Sequence, residues 1–174
     1  HLPQLERTDY VANANDSHWL TNADEPLEGY SPLHGFERAA PTPRTRQNQL
    51  VAKALAATGE ATVDTVLDAL FDNASLTADL LLDAVVERCR AAGSVEDVDL
   101  VAAADVLARW DRRADLDSRG TILWREFMAS FEPLAHRSDG ALFAEGFDPD
   151  DPVNTPRGLA PVGDDGLDLV ALGM

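Results

Sequence analysis

Between Thr42 and Phe131 apolar side chains recur every three and four residues, in runs opened by hydroxyl residues and closed by glycines. This punctuation restricts the middle of the chain to a set of short α-helices. Pro43 suits a first helical turn, where its missing N–H costs nothing, and Thr42 stands before it as the cap. Leu50, Val51, Ala54, Leu55 and Ala57 then give one helix face until Gly59 stops it. Thr62 caps a second helix carrying Val63, Val66, Leu67, Leu70 and Phe71. Ser75 or Thr77 opens a third, with Leu76, Leu80, Leu81, Val85, Val86 and Cys89 ahead of Gly93. Two more helices are expected from about Val98 to Trp110 and from about Thr121 to Phe131, flanking a polar loop.

The two ends read differently. Thr8 to Ala14 has the look of a short strand running into a polar cluster, and Asn22 to Pro43 is a loop punctuated by Gly and Pro. A loop of that length in a compact domain usually lines a site or wraps a neighbour. Beyond His136 periodicity dissolves into Asp148-Pro-Asp-Asp-Pro152 and Thr155-Pro-Arg-Gly158. One isolated strand cannot stand without partners, so the chain reads as a piece of a larger sheet protein. The expected organisation is a strand and loop over 1–42, a helical region over 43–135 and an extended segment over 136–174. A first residue that is His rather than Met suggests excision from something longer, and His1-Leu-Pro-Gln-Leu-Glu-Arg7 does not read as a signal peptide.

Composition removes several functions. A formal charge of −17, from 31 acidic against 14 basic residues, opposes a phosphate-backbone partner, so nucleic acid is not expected as a ligand. No apolar run approaches the length that spans a bilayer. The single cysteine, Cys89, rules out an internal disulfide or a CxxC site. A hydrophobic content of 45% is enough for a packed core.

The chemistry is concentrated in Asn13-Ala-Asn-Asp-Ser-His-Trp19. A neutral amide donates a hydrogen bond without a buried charge, which suits it to hold a developing oxyanion; an ionised Asp only accepts. Asn13 and Asn15 share a face if the backbone is extended, so either residue can supply that donor. The segment Tyr10 to Asn22, with Leu27-Glu-Gly-Tyr-Ser-Pro32 and Pro43-Arg-Thr-Arg46 after it, resembles the large subunit of the penicillin acylase family of N-terminal-nucleophile hydrolases. That family includes acyl-homoserine-lactone and aculeacin acylases. Leu107-Ala-Arg-Trp-Asp-Arg112, Asp117-Ser-Arg-Gly-Thr-Ile-Leu-Trp124 and Asp151-Pro-Val-Asn-Thr-Pro-Arg-Gly-Leu159 resemble further family segments in the same order.

The resemblance implies a fold and a mechanism. The chain is mainly α as it stands, a short strand plus a helical insertion, and belongs to an α+β (αββα) sandwich. The family's nucleophile is the first residue of the large subunit, usually Ser, whose α-amino group is the general base. His1 does not fit that post, so the nucleophile lies outside this chain, which is inactive alone. Asn15 matches the family's oxyanion donor, and Arg44, with Arg46 as the alternative, matches an arginine that orients it. The implied reaction is hydrolysis of an N-acyl amide (penicillin or cephalosporin, acyl-homoserine lactone, lipopeptide) through an acyl-enzyme. Its partners are the small subunit and the rest of the large subunit of one precursor, the location is extracytoplasmic, and neither cofactor nor metal is expected at the site.

Other readings compete. Asp115, Asp117, Gly120, Ile122 and Glu126 fall on positions 1, 3, 6, 8 and 12 of an EF-hand loop, but Arg119 stands where a ligand oxygen belongs. A stand-alone acidic helical module with a degenerate calcium loop is therefore the alternative. Its plain counterpart is a turn in which Asp117 or Ser118 caps the next helix. His18, His34 and His136 lack paired ligand spacing and read as loop residues. Ser17 is expected to bond the loop backbone, and Trp19 to line an acyl pocket.

Overall fold

The computed structural model describes residues 1–95, 98–131 and 142–163, and its chain divides into two compact units. Among the described residues no helix is long and apolar enough to cross a membrane. The architecture is mainly helical, with five α-helices and two small antiparallel ribbons.

The first unit comprises His1–Asp72 and Phe147–Thr155. Its helices are α1 (Pro43–Thr58) and α2 (Val63–Leu70), each started where the sequence signals it. Thr42 Oγ1 accepts from the Thr45 N–H at 3.1 Å, and Gly59 ends α1 in the left-handed region at φ 66°. Thr62 and Thr65 form a reciprocal capping box on α2, at 2.9 and 3.2 Å.

Two expectations fail in this unit. Residues 8–14 form no strand. A strand needs a ladder to a neighbour, and the segment's backbone bonding here is a single link, from the Ala12 N–H to the Thr21 carbonyl at 2.9 Å. Nor is the buried face of α1 its apolar one. Thr45, Arg46 and Gln49 are buried, whereas Leu50 is exposed. Buried polar groups persist only with partners, and these have them. Thr45 Oγ1 donates to Asp16 Oδ2 at 2.8 Å, Arg46 Nε donates to the Val153 carbonyl at 2.8 Å, and Gln49 Nε2 donates to the Leu20 carbonyl. This unit closes around Trp19 and Leu20 with a hydrogen-bonded lining in place of an apolar one.

The second unit comprises Asn73–Gly146 and Pro156–Met174. It contains α3 (Leu76–Ala92), α4 (Leu100–Ala108) and α5 (Thr121–Ala129). Ribbon β1 (Ser94–Val95) with β2 (Val98–Asp99) links α3 to α4, and β3 (Phe143–Glu145) pairs with β4 (Arg157–Leu159), Phe143 opposite Leu159. Ser75 is the N-cap of α3 and Asp99 that of α4, so Val98 belongs to β2 and not to the helix. The apolar core is built here. Leu81, Leu82, Val85 and Cys89 of α3 pack with Leu100, Ala104 and Leu107 of α4 and with Trp124 and Phe127 of α5.

The turn before α5 departs from the sequence reading. Its N-cap is Gly120, without a side-chain cap, and Ser118 Oγ instead donates to Asp111 Oδ2 at 2.9 Å. Gly120 is fixed by crowding: it sits at φ 125°, and a Cβ there would lie 2.7 Å from Trp110 Cβ and Cγ.

Candidate functional site

The polar segment after Ala12 is a tight turn braced by its own side chains. Asn13 Oδ1 accepts from the Asn15 N–H at 2.8 Å, while Asn13 Nδ2 donates to the Asp16 carbonyl at 3.2 Å. These two partners fix which end of the amide is which, since a backbone N–H must meet oxygen and a carbonyl must meet nitrogen. Asn15 lies at φ 60°, in the left-handed region that asparagine tolerates better than most residues. The extended backbone that would put Asn13 and Asn15 on one face is therefore interrupted at Asn15 itself.

The first turn of α1 grips this turn from two sides. Asp16 Oδ1 accepts from the Ser17 N–H at 2.9 Å; its Oδ2 accepts from the Thr42 N–H at 3.1 Å and from Thr45 Oγ1 at 2.8 Å. A carboxylate at a helix N-terminus is stabilised by the unpaired amides and by the helix dipole. From the other side, Arg44 Nη2 donates to the Ala14 carbonyl, one residue before Asn15. The Asn13 amide is thus engaged at both ends, whereas the Asn15 amide is exposed and donates to none of the described residues.

The two candidate arginines have different posts. Arg44 reaches the turn, while Arg46 is 1% exposed and bonds the Val153 carbonyl. Burial pushes the Arg46 guanidinium down to about 10, with Asp151 opposing the shift. Positions two apart on an α-helix point about 200° apart, which separates these roles. Trp19 is buried in the first unit. Its Nε1 donates to Glu28 Oε1 at 3.1 Å and its ring stands edge-on to Phe147 at 6.4 Å.

Beside the turn runs an open groove of about 680 Å³. Asn13, Ala14 and Arg44 stand at its polar part, and Val11, Leu55 and Leu70 are among its apolar walls; Trp19 does not line it. Ser17 and His18 are not paired for catalysis: Ser17 Oγ donates to the Phe36 carbonyl, and His18 Nδ1 lies 3.2 Å from the His34 carbonyl. His18 Nε2 faces Glu37 Oε1 at 3.5 Å. Glu37 also accepts from the Gly29 and Tyr30 N–H groups at 2.8 and 2.7 Å, contacts that hold its carboxyl below the usual range, with a smaller contribution from His18. His136 lies outside the described residues.

The calcium-loop geometry does not form. Asp115 is occupied by Asn73 Nδ2 at 2.7 Å and Arg113 Nε at 3.1 Å, which lower its pKa, and Glu126 pairs with Arg125 at 2.7 Å. Among the described residues no group of three or more His, Cys, Asp and Glu side chains is placed to hold a metal. Sequence reasoning missed Asp16 and Thr45. The signal available for Asp16 was an acidic residue inside a run of asparagines, and nothing local pointed to Thr42 and Thr45 as its partners.

Comparison with known proteins gives this geometry a context. The chain is 40% identical over 169 residues to an aculeacin-A acylase of Actinoplanes utahensis, a match that covers 89% of the chain and 20% of the relative. It is 34% identical over 159 residues to an acyl-homoserine lactone acylase PvdQ of Pseudomonas putida, covering 91% of the chain and 19% of the relative. A second acyl-homoserine lactone acylase PvdQ, from Pseudomonas syringae pv. syringae, is 33% identical, with 91% and 20% covered. The chain thus spans about a fifth of the length of these curated relatives. The penicillin amidase family model matches residues 1–166, and the chain belongs to that family.

Proposed function

We propose that this chain carries the oxyanion-holding half of an amide-hydrolysing site. Asn15 donates from Nδ2 to the oxygen that becomes negative when the acyl amide is attacked. Arg44 is a positioning residue, acting through the Ala14 carbonyl, and Asp16 ties the same turn to α1. The observation that carries this reading is the contrast within the turn: Asn13 is consumed in bracing it, and Asn15 is left exposed with an uncommitted amide. Membership of the penicillin amidase family and the names of the relatives support amide hydrolysis as the reaction.

The nucleophile is an N-terminal Ser on another part of the same precursor, its own α-amino group taking the proton. Attack by Ser Oγ on the amide carbon forms the tetrahedral oxyanion. Its collapse expels the amine, and water then releases the acid from the acyl-enzyme. The substrate is an N-acyl compound, and relatives named for acyl-homoserine lactones favour that class over a penicillin. The αββα sandwich and an extracytoplasmic location belong to the same proposal.

The test is made in the full-length polypeptide. Asn15→Ala is expected to lower kcat by about 10²–10³-fold, the loss usual for one oxyanion donor, with precursor processing and folding intact. Asn13→Ala is expected to disturb the turn and reduce both activity and stability. Turnover unchanged in Asn15→Ala refutes the role.

A further inference from the structure

We infer that the apolar face of α2, with the groove it forms against α1, is the docking surface for the remaining part of the same polypeptide. The inference rests on reading the chain as one part of a larger acylase. Val63, Val66, Leu67 and Leu70 follow the i, i+3, i+4, i+7 spacing of a single helix face. Asp64 and Asp68 lie off that face. None of the eight residues of α2 is buried: Val63 is 76% and Leu70 70% exposed, and the adjoining Phe71 is 71% exposed. A capping box starts the helix, yet helices shorter than about 12 residues are marginal in water without packing on an apolar face. Contiguous apolar surface of this kind marks an interface.

Three observations choose the occupant. The matched relatives are about five times as long as this chain, so most of the surface able to cover α2 belongs to the rest of such a polypeptide. The groove leads from Val66 and Leu70 to Asn13, Ala14 and Arg44, so an element seated in it ends beside the candidate donor, where a nucleophile has to arrive. A second copy is disfavoured by a formal charge of −17 on each chain, which repels at moderate ionic strength.

Leu70→Cys in the full-length polypeptide tests this. Its alkylation by a small thiol reagent is followed by peptide mass mapping, native against urea-unfolded. A covered face predicts alkylation about 100-fold or more slower in the native state. Equal rates overturn the proposal. Protection that vanishes on dilution assigns the face to a second copy, and protection that appears only with an added fatty acid assigns the groove to a ligand; either result overturns it. Should Leu70→Cys fail to fold, hydrogen exchange of the α2 amides in the unsubstituted polypeptide decides: slow exchange supports the docked face and fast exchange refutes it. Neither readout uses acylase activity, so failure of the acylase reading remains distinguishable.

Discussion

The turn that presents Asn15 depends on one carboxylate, and Asp16→Asn measures how much. In the native turn Oδ2 accepts from the Thr42 N–H at 3.1 Å and from Thr45 Oγ1 at 2.8 Å. An amide in its place keeps one acceptor oxygen. If that oxygen stays on the Ser17 N–H, the new NH₂ faces the Thr42 N–H, donor against donor. Hydrogen bonds to charged groups contribute about 1.5–3 kcal/mol each, and a carboxylate near a helix N-terminus adds roughly 0.3–1 kcal/mol. Asp16 is half-buried, so water recovers part of this loss, and about 2–4 kcal/mol of local stability is expected to go. At 1.36 kcal/mol per tenfold, that corresponds to a factor of roughly 30–1,000 in the opening equilibrium. Hydrogen exchange over residues 42–46 in the full-length polypeptide reads it directly, and kcat should fall as Asn15 loses its fixed position. Thr45→Val removes one partner, so the double variant is expected to lose about 1 kcal/mol or more less than the sum of the singles. Unchanged exchange in Asp16→Asn, or strict additivity with Thr45→Val, refutes the bracing argument.

Other perturbations have equally definite outcomes. Gly120→Ala puts a methyl 2.7 Å from Trp110 Cβ and Cγ at a positive φ; overpacking alone costs about 1–3 kcal/mol, so a lower melting temperature and lower soluble yield are expected. Trp19→Ala empties the centre of the first unit and should cost about 3–5 kcal/mol, read as loss of folded material. Glu126→Gln removes only an exposed pair with Arg125; it is expected to shift stability by less than about 1 kcal/mol and to leave any calcium response unchanged. Glu37 has a folded pKa below its ordinary value of 4.5. Its contribution is therefore complete above that value and is lost as pH falls through the lower folded pKa. Limited proteolysis should show the loop around Tyr30 opening in acid in the parent, and already open at neutral pH in Glu37→Gln.

What was legible in the chain was local. Thr42-Pro43, Thr62 and Ser75 start the helices they announce, and Gly59 and Gly93 follow helix ends, because caps and stops act within one turn. The apolar spacing of α3 also predicted its buried face, since Leu81, Val85 and Cys89 meet apolar partners. What was not legible depends on distant partners. Arg46 and Gln49 are buried because the Val153 and Leu20 carbonyls receive them, 107 and 29 residues away, and no local pattern encodes that. The expected strand over residues 8–14 fails for a related reason: alternation marks what can pair, and pairing needs a neighbour. At the site, the sequence picked out both asparagines and both arginines. The left-handed Asn15 and the opposite directions of Arg44 and Arg46 became visible only with the backbone in place.

The central claim is that Asn15 binds charge that exists only in the transition state. The measurement that meets it most directly compares how a tetrahedral, anionic acyl analogue and the carboxylic acid product bind full-length polypeptide carrying Asn15 or Asn15→Ala. The account predicts that the substitution weakens the analogue by about 10²–10³-fold and the product little, because the donor is aimed at the oxyanion. Equal weakening of both, or of neither, contradicts it.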